Sequence, residues 1–114
     1  MAGCWIALTT LSSREQGERL AGTLVEERLA ACVNVLGPVA SIYRWEGKVE
    51  HDEEVLLLIK TTKAGVAPLR TRVLELHPYD TPEFLAFEVG AGSSGYLDWV
   101  AQSVVSPRSG DDPS

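Results

Sequence analysis

Two histidines, two cysteines, three tryptophans and three tyrosines carry most of the chemistry open to this 114-residue chain. His77 lies in the stretch LHPYD, residues 76–80. A neutral imidazole can ligate copper or zinc, but such a site needs two or three further ligands. The candidates are Glu83, just past Pro82, and Cys32 if the fold brings it near. A structural reading of His77 competes with this one. The residue precedes Pro78, where a helix must stop. There a charged ring suits the negative end of the helix dipole and can bond a last carbonyl.

A second cluster is VEHDEE, residues 49–54, which packs His51 among Glu50, Asp52, Glu53 and Glu54. Carboxylate oxygens suit hard cations, yet the spacing is not that of a calcium loop. A solvated strand end accounts for the same residues. A third set is Tyr43, Trp45, Lys60, Tyr79 and Trp99. Aromatics with one lysine could line a cleft between subunits and hold a small anion. Equally, they could be packing at an interface, where such residues are enriched. No Gly-x-Ser-x-Gly elbow, His-Glu-x-x-His pair or complete phosphate loop is present; Gly90-Ala91-Gly92 lacks the following Lys-Ser/Thr. No catalytic reaction and no organic cofactor are therefore expected.

The elements that must position these residues follow from periodicity. CWIALTT, residues 4–10, is a short β-prone run. Ser12 with Glu15, or Ser13 with Gln16, makes a capping box for a first helix reaching about Ala31. Its apolar stripe is Leu20, Leu24, Val25 and Leu29. CVNVL reads as a strand that Gly37-Pro38 breaks or bends, and VASIYRWEGKVEH resumes it. Glu46-Gly47-Lys48 supplies a hairpin turn, with Gly47 free to take positive φ. EVLLLIKTT, residues 54–62, is apolar on both faces, as a central strand should be. A second helix starts near Val66 or Ala67, because Pro68 is tolerated only in a first turn. It carries Val66, Leu69, Val73 and Leu76 on one stripe and ends at Pro78. FLAFEV, residues 84–89, is the last strand. YLDWVAQSV forms a terminal helix capped by Ser93 or Ser94.

The order β-α-β-β-α-β plus a helix specifies an α+β, ferredoxin-like split βαβ domain over residues 1–105, with a disordered tail at 106–114. Both helices of that fold lie on one sheet face. The other face and a long hairpin then need cover, and another copy of the chain is the cheapest partner.

Composition bounds the rest. The net charge of −6 repels phosphate backbones, so nucleic acid is not an expected partner. No apolar run approaches the ~20 residues of a membrane span. Cys4 and Cys32 lack metal-type spacing and make no disulfide framework, which favours reduced thiols in the cytoplasm.

Four blocks in order, LVEERLAACVNV, SIYRWEGKVEHDEEVLLLIKTT, LHPYDTPE and GYLDWV, resemble the signature blocks of the CutA family, the divalent-cation tolerance proteins. The resemblance covers about residues 5–105. It implies a ferredoxin-like fold, a tight homotrimer with hairpins paired between subunits, a cytoplasmic location, and a role in tolerance of copper and other divalent ions. Some members of the family carry a Cys at the end of strand one and a His before the histidine of HPY. Thr9 and Leu76 stand at those positions here, which leaves His77 as the metal candidate.

Overall fold

The computed structural model describes residues 3–105 and contains seven elements. They are β1 (Cys4–Leu11), α1 (Arg14–Glu26), β2 (Cys32–Trp45), β3 (Lys48–Thr62), α2 (Val66–Leu76), β4 (Leu85–Glu88) and α3 (Ser94–Ser103). The tail expected at 106–114 lies outside the described residues. The strands form one antiparallel sheet in the order β2-β3-β1-β4. This is the split βαβ arrangement expected from the element order.

Helix α1 starts where the sequence places it. Ser13 is the N-cap, and its hydroxyl accepts the Gln16 N–H at 3.1 Å. The side chain of Gln16 turns to the Ser12 hydroxyl, which donates to it at 2.7 Å. The helix stops at Glu26, earlier than expected. Arg28 takes a left-handed φ of 62°, and the N–H groups of Leu29 and Ala30 turn back to the Leu24 carbonyl. The buried stripe is accordingly Gly17, Leu20, Ala21 and Leu24, while Val25 is exposed. Gly17 lets the helix lie close on the sheet, since a Cβ there would stand 2.8 Å from Val55 Cγ2. In α2, Leu69 and Val73 are buried as expected, but Leu76 is exposed.

One sheet face, with Ala7 and Leu11 of β1 and Val55, Leu57 and Ile59 of β3, packs against α1 and α2 as the core. The opposite face carries Ile6, Leu8, Leu56 and Leu58, which are half-buried. Beside them Leu36, Leu85 and Phe87 are 41%, 58% and 50% exposed. Helix α3 packs at the Cys4 end of the sheet through Val100 and Val104, with Val89 and Leu97 beside them.

The β2–β3 hairpin, Cys32–Trp45 with Lys48–Thr62, holds the two longest strands of the sheet. A bulge between Leu36 and Val39, at the cis Gly37-Pro38 bond, shifts its register. Beyond it, pairing runs to Trp45 opposite Lys48. Glu46 and Gly47 close the turn with φ of 50° and 81°, the doubly positive pattern that suits a two-residue hairpin.

Candidate functional site

Thr10 at the end of β1, the distal part of the hairpin and the 78–84 loop enclose an open groove of about 660 Å3. The hairpin contributes Tyr43, Trp45 and Glu54; the loop contributes Tyr79, Asp80 and Glu83. Strand alternation explains the hairpin side. Glu50, Asp52 and Glu54 are two residues apart and share a face. Tyr43 pairs with Glu50 and lies diagonal to Asp52.

Both tyrosines are tied down by this register. The Tyr79 hydroxyl donates to Glu54 Oε2 at 2.7 Å, joining loop to hairpin. Burial and that hydrogen bond push its pKa well above the usual phenol range. The Tyr43 hydroxyl donates to Asp52 Oδ2. This bond, helped by the negative field of Glu50 and Glu54, raises the Tyr43 pKa to about 12. Both phenols are therefore held further from the charged form than free tyrosine, and both stay protonated near neutral pH.

His77 lies behind the groove, 8% exposed. Its backbone closes α2: the N–H donates to the Val73 carbonyl at 2.9 Å, and ψ of 135° turns the chain out of the helix before Pro78. The ring does not bond a carbonyl of α2. Nε2 lies 2.8 Å from the Thr10 carbonyl oxygen, and Nδ1 accepts the Tyr79 N–H at 3.2 Å. These partners fit a neutral ring that donates from Nε2, so both nitrogens are in use. The charged ring expected to answer the helix dipole would oppose Nδ1–H to the Tyr79 N–H.

The residues singled out for copper do not gather around it. Cys32 pairs with Lys60, whereas Thr10 pairs with Leu56, which separates them by roughly 13 Å along the sheet at ~3.3 Å per residue. Glu83 is on the groove. Among the described residues, no group of three or more His, Cys, Asp or Glu side chains stands close enough to hold a metal ion. With the lone pair of His77 Nδ1 already accepting a hydrogen bond, these residues do not fit a copper ion within one subunit.

The aromatic-plus-lysine set also divides. Tyr43, Trp45 and Tyr79 meet on the groove. Lys60 is six residues past Glu54 on β3, roughly 20 Å away along the strand. Its ammonium bonds the Asn34 side-chain carbonyl and lies 3.8 Å from Cys32 Sγ. Trp99 stacks at a tilt on Tyr96 in α3, near the Cys4 end of the sheet. The groove of one chain thus has carboxylates where the sequence grouping put a lysine. Asp80, Thr10 and the pairing of Glu54 with Tyr79 were not singled out. The i, i+2 spacing of Asp52 and Glu54 was a signal for the hairpin side, but nothing in the sequence placed the loop against it.

Comparison with known proteins agrees with this architecture. The family described as "CutA1 divalent ion tolerance protein" matches residues 5–103. The "Divalent-cation tolerance protein CutA" of Thermus thermophilus is 47% identical over 98 residues, covering 86% of this chain and 95% of that protein. The human "Protein CutA" is 43% identical over 84% of this chain, which spans about half (54%) of the human protein's length. The crystal structure of CutA1 from Oryza sativa superposes with a TM-score of 0.88 at 40% identity, covering 90% of this chain and 94% of that one. The Cut A1 structure from Thermus thermophilus gives a TM-score of 0.87 at 45% identity, covering 90% and 99%.

Proposed function

The chain belongs to the CutA1 divalent ion tolerance family, and from that premise we propose that it acts in the tolerance of divalent metal ions, copper among them, as a cytoplasmic homotrimer without a catalytic reaction. The observation that carries the assembly is the uncovered sheet face. Leu36, Leu85 and Phe87 are exposed beside half-buried Ile6, Leu8, Leu56 and Leu58. A contiguous apolar face of this kind is an interface signal. The hairpin edge β2 offers a further row of unpaired backbone groups, which pairing between subunits would satisfy. The free thiols of Cys4 and Cys32 suit a reducing compartment. Relatives carry other compartments in their names, "chloroplastic" in Arabidopsis and rice and "Periplasmic" in the Archaeoglobus fulgidus structure, so fractionation of the native host is the direct check.

Light scattering on the purified chain is expected to give three times the subunit mass of 12.4 kDa. Phe87→Asp, which puts a charge on the apolar face, should release smaller species. A wild-type monomer at micromolar concentration would remove the assembly. Deletion of the gene should lower the Cu2+ concentration at which the host grows, and unchanged growth would remove the tolerance role. Copper response is assigned no ligand set within one subunit, because His77 spends both ring nitrogens inside the fold.

One observation favours a second reading, a small-molecule sensor. The groove has the size of ordinary ligand sites, ~300–1,000 Å3, and carries both aromatic and charged walls.

A further inference from the structure

We propose that Lys60 and Asn34 form half of a carboxylate-binding site on the open sheet face, and that a second copy of the chain closes it. This rests on the assembly reading and adds to it what the covered face must hold.

The face itself sets the problem. Strand alternation turns Lys60 to the same side as Ile6, Leu8, Leu56 and Leu58. Lys60 stands opposite Cys32 on one flank and Ile6 on the other, and Ile6 stands opposite Phe87. From Leu56 to Thr62 and across to the paired strands, Lys60 is the one charge on that face among the described residues. Covering the face with another subunit takes its ammonium out of water. That is costly for a cation without an anionic partner.

Within one chain that partner is missing. Among the described residues Lys60 takes part in no ion pair. Its ammonium bonds the Asn34 side-chain oxygen and lies 3.8 Å from Cys32 Sγ, both neutral contacts. The next carboxylate on the same strand and face, Glu54, is roughly 20 Å away and already accepts the Tyr79 hydroxyl. A lysine has three donors and no acceptor, and an amide whose oxygen faces Lys60 keeps two N–H donors. The pair therefore offers an incoming group donors alone, which answers a carboxylate and repels a cation. The chain carries 16 Asp and Glu against 10 Lys and Arg, so a second copy has carboxylates to supply. A free carboxylate held between subunits would meet the same donors, and the test has an arm for each source.

The test is urea dissociation of the full-length assembly in chloride buffer, followed by light scattering, with circular dichroism reporting the subunit fold. Lys60→Met should lower the dissociation midpoint by about 1 M, because it strands a buried partner carboxylate. Asn34→Asp should lower it too, by setting a like charge against the incoming one. An ammonium buried without an anion predicts the opposite sign for both, since Lys60→Met removes the charge and Asn34→Asp neutralises it. The second arm replaces chloride with acetate at equal ionic strength. A wild-type midpoint that rises in acetate, with no rise in Lys60→Met, assigns the carboxylate to a free molecule; an unchanged one, with both variants weakened, assigns it to the partner's side chain. The acetate arm reads the wild type and stands even where a variant does not fold. Midpoints at or above wild type in both variants, with no acetate effect, overturn the site while the assembly stands. A wild type that is monomeric before urea is added overturns both.

Discussion

His77 Nε2 lies 2.8 Å from the carbonyl oxygen of Thr10, a residue 67 positions earlier in the chain. The other ring nitrogen accepts the Tyr79 N–H, and the two rings meet edge to face with centroids 4.7 Å apart. One imidazole thus fixes the end of β1, the end of α2 and the start of the loop that carries Tyr79, Asp80 and Glu83. His77→Ala leaves two polar backbone groups without their partner. It is expected to destabilise the fold by about 1–3 kcal/mol, the cost of unsatisfied buried groups. Denaturant titration measures that loss. Calorimetry with Cu2+ on the same variant should show wild-type uptake, and a lost site would mean that the ring does bind metal.

Thr9 is fully buried, and its hydroxyl has no hydrogen-bond partner among the described residues. It lies on the helix-facing side of β1, two residues from Ala7 and Leu11, both in the core. Valine has nearly the same shape without the orphan oxygen. Thr9→Val is expected to stabilise the protein by roughly 1 kcal/mol, the low end of the penalty for an unpaired buried hydroxyl. A raised denaturation midpoint with an unchanged m-value would bear this out. A lowered midpoint would show that the hydroxyl has a partner after all.

The two groove tyrosines predict alkaline behaviour. Their folded pKa values are raised, Tyr43 to about 12 and Tyr79 further, by the carboxylates they bond and, for Tyr79, chiefly by burial. An unfolded tyrosine titrates near ~10. The folded state therefore holds these protons longer than the unfolded chain. The stability they contribute is full below pH ~10 and is lost as pH rises through the folded values. Wild-type stability should fall more steeply above pH ~10 than that of Tyr43→Phe/Tyr79→Phe, and the ultraviolet phenolate signal of Tyr43 should appear near pH 12. Parallel pH profiles for the two proteins would contradict the hydrogen-bonded arrangement.

Much of this architecture was legible in the residues. Glu46-Gly47-Lys48 announced the hairpin, Pro78 the end of α2, and the Ser12-Ser13 pair the start of α1, where Ser13 is the cap. What failed did so where tertiary position overrides local pattern. Val25 and Leu76 fit their helical stripes, yet both are exposed, because α1 ends one residue past Val25 and α2 ends at Leu76. Lys60 and Tyr79 looked like partners only while strand length was ignored. The groove depends on Tyr79 meeting Glu54 across 25 positions, a contact fixed by His77 and Thr10 and written in no local motif.

Arg28 was not singled out, though it joins the two ends of the fold. Its backbone takes φ of 62°, a conformation that costs a side-chain-bearing residue about 1–2 kcal/mol. The guanidinium offsets this by donating to the carbonyls of Gln102 and Ser103 at 2.9 and 3.2 Å. Those are last-turn carbonyls of α3, where a cation also complements the dipole. Its own carbonyl accepts the Val105 N–H at 2.9 Å. Two substitutions separate backbone from side chain. Arg28→Ala keeps the strained φ and loses the guanidinium, so it should cost about 1–3 kcal/mol. Arg28→Gly loses the same bonds but relieves the strain, and should recover about 1 kcal/mol of that loss. Thermal melts should therefore rank wild type above Arg28→Gly and Arg28→Ala lowest. If alanine proves at least as stable as glycine, the left-handed conformation at this position is wrong.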